Sequence, residues 1–400
     1  MIIHGDVAFM ILSTVLVLIM TPGLAFFYGG LVERKNTLTI MFQVFIAIGI
    51  VAIIWVFGGF SLVFGDDIGG VIGNPLQFFA LRDVTFTVDL RYSETIPFIL
   101  FFMYQMMFAI ITAPLMTGAF ANRLTVSGWI KILILWIILV YFPVAHWVWG
   151  GGFLSKLGFV DFAGGATIHI TSGFGCLGGI YVIGSRKVKN EKGPFNLGLV
   201  AIGAGLLLFG WFGFNAGGTI AAADIAAIVF TNTGLAAASG MVVWLILHAR
   251  HAKRASFLEA LVGAIAGLAT VTPASGYITP ISALIIGVLG AVVCFFCVEF
   301  ERKKWDDALD VWGVHGVGGF LGILLIGVFA DPRVNGVSAG IRQFLIQLFG
   351  AVLIAVYSIL LTFLIFKLVD KTKSIKVSEE IQRKGLDKEF FDENFETKLD

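Results

Sequence analysis

Residues 161–184 read DFAGGATIHITSGFGCLGGIYVIG, and residues 308–330 read ALDVWGVHGVGGFLGILLIGVFA. Each stretch is long and apolar enough to span a bilayer, which takes about 20 mainly apolar residues. Each also carries one histidine, His169 in the first and His315 in the second. An ionisable group at such depth is expensive, and function is the default reason for it. No alternating ten-residue pattern of a membrane β-strand occurs here or elsewhere, which excludes a β-barrel. The two stretches therefore read as membrane helices with a polar group facing a protein interior.

The rest of the chain agrees. Of 400 residues, 58% are hydrophobic and only 13% charged, about half the charge of an ordinary soluble domain. Eleven apolar stretches reach membrane length, near 6–29, 38–65, 97–120, 126–148, 161–184, 196–217, 224–248, 256–275, 279–299, 308–330 and 339–368. The fold class expected is an all-α polytopic membrane protein with eleven transmembrane helices. The first stretch is expected to remain as a helix, since no Lys or Arg precedes it and it exceeds the core of a signal peptide. A net charge of +1, from 27 basic and 26 acidic residues, argues against a nucleic-acid binder. The three cysteines lie in apolar stretches, so Cys294 and Cys297 read as small residues on one helix face.

Charge placement sets the orientation. Connections after odd-numbered spans hold Arg34 and Lys35; Arg123; Arg186, Lys187, Lys189 and Lys192; Arg250, Lys253 and Arg254; Arg302, Lys303 and Lys304; and Lys367, Lys371 and Lys373. The even-numbered connections hold only Arg82, Arg91, Lys156 and Arg333. Basic residues mark the cytoplasmic side, so the N-terminus is expected outside and the C-terminus inside. Residues 1–369 then form the membrane domain, and 370–400 a charged cytosolic tail, a solvated segment or a docking and regulatory element, ordered in part at most.

Spans one and six end in similar phrases, FFYGG at 26–30 and FGFNAGG at 212–218, and spans five and ten share the pattern of a histidine followed by glycine. An offset of five inverts the topology. That suggests a five-plus-five inverted repeat with an eleventh helix added, and such repeats place a substrate path near the midplane.

The side chains with chemistry are few. His169 lies eight residues past Asp161, about 12 Å deep, and His315 seven residues into its span, about 10 Å deep, at 1.5 Å per residue. Imidazole donates, accepts and relays protons near neutral pH. Asp161 opens span five, where a carboxylate suits free amides and the helix dipole. Tyr104 and Phe108 share a face of span three, Phe214 lies in span six, and Trp149 ends span four. Such aromatics form an interfacial belt or packing, or a cation–π site. There is no potassium-filter sequence, no phosphate-binding loop and no metal-ligand spacing, and no cofactor is expected.

Together the stretches PGLAFFYGGLVERKN at 22–36, YFPVAHWVWGGG at 141–152, DFAGGATIHITSG at 161–173, GWFGFNAGG at 210–218 and DVWGVHGVGG at 310–319 resemble the ammonium transporter family (Amt, Mep and Rh proteins), and the prokaryotic Amt branch most. The resemblance implies a homotrimer with one pore per subunit. It implies an outer ammonium site of Tyr104, Phe108 and Trp149, a stacked Phe108–Phe214 pair blocking the pore, and a pore lined by His169 and His315. Asp161 matches an acidic residue supporting the vestibule, and Asp310 an aspartate near the inner end of span ten. Gly218 stands where many bacterial members have a serine in the outer site. The tail keeps the family's GLD phrase at 385–387, but Phe391-Asp392 replaces the usual His-Gly. A PII-type signal protein is the partner implied at the cytoplasmic face.

The expected activity is ammonium uptake at the plasma membrane. Ammonium loses a proton at the aromatic site, because desolvation disfavours the charged acid, and ammonia passes the histidines. If the proton follows, transport is electrogenic; if not, ammonia is conducted passively. A sensor whose tail signals and a neutral-gas channel are the other readings. A membrane enzyme would need a nucleophile–base set, and none is present.

Overall fold

A computed structural model of the chain describes residues 1–188, 193–372, 374–393 and 395. Lys189, Lys192 and Lys373 lie outside the described residues. The chain folds into the helices α1 His4–Leu31, α2 Arg34–Phe64, α3 Phe98–Phe120, α4 Val126–Leu157, α5 Gly165–Ile183, α6 Leu197–Thr219, α7 Asp224–Ala252, α8 Phe257–Val271, α9 Pro280–Glu301, α10 Trp312–Phe329 and α11 Ile341–Thr372. Among the described residues, ten of these are long and apolar enough to cross a membrane; α8 has 15 residues. It stops at Val271 and not at 275 because Pro273 has no amide to continue the ladder. The chain turns there instead, and the Pro273 ring packs on α5 at Gly165.

Two other helices start later than hydropathy suggests. Helix α5 begins at Gly165, because Asp161 and the residues after it form its cap. Helix α10 begins at Trp312, whose amide donates to Asp307 Oδ2 at 2.7 Å. Both histidines thus lie within the first turns of their helices. Both of those turns are widened into π-type turns, Gly165–Ile170 and Trp312–Gly316, a distortion common at functional sites.

Close helix contacts rest on absent side chains. Helices α1 and α6 cross where a Cβ on Gly203 would lie 2.2 Å from the Phe27 amide nitrogen. Helices α5 and α10 cross where a Cβ on Gly173 would lie 2.2 Å from the Gly316 nitrogen. Membrane helices associate through such packing, since lipid offers no hydrophobic drive between them. The outside is apolar: Ile341, Leu345, Phe349, Val352, Val356, Leu360, Leu364 and Leu368 form an exposed stripe along α11, the surface of a helix solvated by lipid.

One face of the molecule collects the connections after α1, α3 and α5 together with the tail. The tail forms two short helices, α12 Glu379–Lys384 and α13 Leu386–Phe390. Asp387 accepts from the amides of Leu38 at 3.0 Å and Thr39 at 2.8 Å at the start of α2. Gln382 Oε1 accepts from the amides of Lys187 and Val188, and the Val377 amide donates to the Arg123 carbonyl. The Phe391 ring meets Phe42 at 5.1 Å. A composition that reads as a solvated segment is held, in the described residues of the tail, by helix-terminal amides and one aromatic contact. Opposite lies a small hairpin, β1 Asp67–Ile68 and β2 Ile72–Gly73, antiparallel.

Candidate functional site

At the end of the molecule away from the tail, a cavity of about 340 Å³ is lined by Tyr104, Phe108, Trp149, Asp161 and Gly218, with Phe162 and Tyr277 beside them. Five residues from four parts of the sequence therefore share one space. Each is fixed by a neighbour. The Trp149 indole N–H donates to the Asp161 carbonyl at 2.8 Å. The Tyr104 hydroxyl donates to the Phe214 carbonyl at 3.0 Å, tying α3 to α6. Gly218 sits against Phe162, where a Cβ would come within 3.1 Å of the ring.

The Asp161 carboxylate is buried and turned into the terminus of α5. Oδ1 accepts from the amides of Gly164 at 2.9 Å and Gly165 at 2.7 Å; Oδ2 accepts from Ala166 at 2.8 Å and Thr167 at 3.0 Å. Both oxygens are engaged by the helix, and the residue's link to the cavity runs through its carbonyl and Trp149. Loss of a cap costs about 0.5–2 kcal/mol, and each buried amide left without an acceptor about 1–3 kcal/mol more. We expect Asp161→Ala to lower the thermal midpoint in detergent far more than Asp161→Asn, which keeps one acceptor oxygen. Equal losses in thermal scanning would contradict this assignment.

Beyond this cavity stand Phe108 and Phe214, with ring centroids 4.7 Å apart. The rings are tilted by 55° and not stacked in parallel, which corrects the stacked geometry anticipated above; a tilt suits the ring quadrupoles better than a face-to-face sandwich. Phe108 lines the first cavity, and Phe214 lines a second, of about 430 Å³, which extends past His169 and His315 toward Arg302 and Asp310 on the tail face. The two phenyl rings thus separate the cavities.

His169 and His315 come together behind that pair. Their rings are nearly parallel, at 20°, with Nδ1 to Nδ1 3.2 Å. A neutral imidazole has one N–H, so this hydrogen bond makes one Nδ1 the donor and the other the acceptor. The rings then hold opposite tautomers, and one Nε2 is an acceptor while the other carries hydrogen. His169 Nε2 is buried with no partner among the described residues. The arrangement can pass a proton or exchange hydrogen bonds with a small polar solute.

Sequence reasoning missed Trp211. Its ring stacks on His169 at 5.4 Å and 24°, fixed by a 2.8 Å hydrogen bond from its indole to Thr272 Oγ1. The signal was present: Trp211 lies one turn before Phe214, in mid-span, away from the interfacial belt that explains most membrane tryptophans. Phe162 and Tyr277 carried no such signal.

The chain matches the model of the Ammonium Transporter Family over residues 8–395. It is 42% identical to the ammonium transporter Amt1 of Archaeoglobus fulgidus, over 96% of this chain and 97% of that one. It is 42% identical to an ammonium transporter of Bacillus subtilis, over 96% of each chain. Among solved structures, Mep2 of Candida albicans superposes with a TM-score of 0.88 at 33% identity, covering 95% of this chain and 87% of that one. These relatives are membrane transport proteins rather than enzymes. With a match along nearly its whole length and ten helices of membrane length, the chain belongs to the ammonium transporter family and is a multi-pass membrane protein for ammonium transport.

Proposed function

We propose that ammonium is captured by cation–π contact with Trp149, Phe108 and Tyr104, loses its proton there, and crosses as ammonia past Phe108 and Phe214 to His169 and His315. The proton moves along the histidine pair, so that uptake is electrogenic. The observation that carries this reading is the Nδ1–Nδ1 contact of two buried histidines, behind two phenyl rings whose centroids lie 4.7 Å apart. A charge at the bilayer centre is costly, whereas ammonia is neutral. When the ring with the bare Nε2 takes up a proton there, the shared proton crosses between the two Nδ1 atoms and the other ring releases its Nε2 proton, one proton has moved along the pair and both tautomers are exchanged. Asp161 acts by holding the α5 terminus and Trp149, and Gly218 leaves the capture site to aromatic faces and water.

In this reading all eleven helices span the membrane, α8 together with the turn at 272–277. The N-terminus is outside and the tail inside, which the gathering of odd-numbered connections and tail on one face supports. The repeat relating the first five helices to the next five is supported by the matching π-type turns at His169 and His315. Residues 1–369 form the membrane domain, and 370–400 the cytosolic tail. The protein works as a homotrimer in the cell membrane, and a PII-type signal protein docks on the tail face.

Trp149 supplies the test of capture. A desolvated cation gains about 2 kcal/mol on an aromatic face, and every 1.4 kcal/mol is tenfold. Trp149→Leu is expected to raise the half-saturating ammonium concentration roughly 10- to 30-fold in proteoliposome currents, with Trp149→Phe less affected. An unchanged value would remove Trp149 from the capture site.

A further inference from the structure

At the junction of α9 and α10 lies a group of buried polar atoms that the pathway above does not use. Glu301, the last residue of α9, is fully buried, and neither carboxyl oxygen has a hydrogen-bond partner among the described residues. It lies against the first turn of α10, where a Cβ on Gly313 would be 2.8 Å from Oε1. Asp307, 5% exposed, accepts from the neighbouring Trp312 amide through Oδ2, while its Oδ1 has no partner. The indole N–H groups of Trp305 and Trp312, whose rings meet at 5.3 Å, are buried and likewise have no partner among the described residues.

Three acceptor oxygens and two donors left open in one place are the chemistry of a hydrated proton site. The two carboxyls face the same first turn of α10, Glu301 at Gly313 and Asp307 at the Trp312 amide, and neighbouring buried carboxyls do not both ionise, so such a pair holds one proton. Open polar groups in such a site are bridged by ordered water. Burial pushes the Asp307 carboxyl up to about 6. The charged and titratable neighbours are Asp310, paired with Arg302 at 2.5 Å, the Cys176 thiol 3.9 Å from Asp307, the buried Tyr28 hydroxyl of α1, and buried Arg123, which with Arg186 pairs with Asp306. Asp307 also lines a cavity of about 310 Å³ that shares Arg302, Ala308 and Asp310 with the histidine cavity. The pair therefore reaches the mouth of the pore through Asp307, with Glu301 buried behind it.

We propose that Glu301 and Asp307 form a proton-holding carboxyl pair that returns a proton to ammonia as it leaves the pore on the tail face. This rests on the histidine reading above. The carboxyl O–H bond breaks, the fourth N–H bond of ammonium forms, and the pair is left with one more negative charge. The proton taken from ammonium at the capture site and passed along the histidines then restores the carboxyl group, so one ammonium enters per cycle and no other reactant is needed.

The test uses the full chain in liposomes, with ammonium-evoked current followed against pH on the tail face, and infrared difference spectra of the same protein. Expected for Glu301→Gln are loss of a protonated-carboxyl band, a current lower by about 100-fold, and a shifted pH profile that Glu301→Asp restores in part. Should Glu301→Gln not fold, Asp307→Asn, which keeps the Oδ acceptor for Trp312, is expected to show the same shift. An unchanged band and an unchanged pH profile overturn the pair. A band lost without any wild-type current overturns the histidine reading and leaves the proton site standing.

Discussion

Leucine at both His169 and His315 is expected to abolish the ammonium-evoked current, by at least about 100-fold, the usual range for losing a placed acid–base group. Leucine is close to imidazole in size, so the path past Phe214 stays open to ammonia while the relay is gone. Either single replacement breaks the 3.2 Å Nδ1 contact and leaves the other ring buried without its partner. The single variants should therefore lose nearly as much as the double variant, a non-additive pattern that independent residues would not give. Ammonia flux, followed by internal alkalinisation, should persist in the double variant. A wild-type current in that variant would sink the relay.

Valine at Gly173 is expected to have the largest effect on folding. Its Cβ would fall 2.2 Å from the nitrogen and 2.3 Å from the Cα of Gly316. Backbone atoms cannot rotate away, so the cost exceeds the about 1–3 kcal/mol of ordinary overpacking. It would also part α5 from α10 and the histidines with them. We expect little folded protein in the membrane, and in any that remains a lower thermal midpoint and no current. Gly205 is the control: nothing lies within 4 Å of its Cβ position, and Gly205→Ala should leave the midpoint unchanged. Equal tolerance at both glycines would show that this crossing is not close-packed.

Among the described residues the ten helices of membrane length were legible because hydropathy reports directly on the lipid solvent, and the two histidines stood out because few ionisable side chains lie within the spans. Helix starts were less legible. Asp161 and Asp307 cap helices that begin several residues inside the apolar stretches, at Gly165 and Trp312, and a cap is a matter of geometry that hydropathy does not contain. The π-type turns, the tilt of Phe108 on Phe214 and the stacking of Trp211 on His169 arise from packing between spans distant in sequence. Glu301 was hidden for another reason: in ERKK at 301–304 it reads as part of a solvated charge run, and only the fold turns it inward. The tail misled in the opposite sense, since its charge masked Asp387 and Phe391 as anchors.

The central claim is that charge crosses only through a proton that ammonium gives up. The most direct test is the current evoked in proteoliposomes by ammonium and, separately, by potassium, whose radius is close to that of ammonium but which has no proton to lose. A current that saturates with ammonium and is absent with potassium is the predicted result. A potassium current of similar size would mean that intact cations pass the phenyl pair, and would contradict the account.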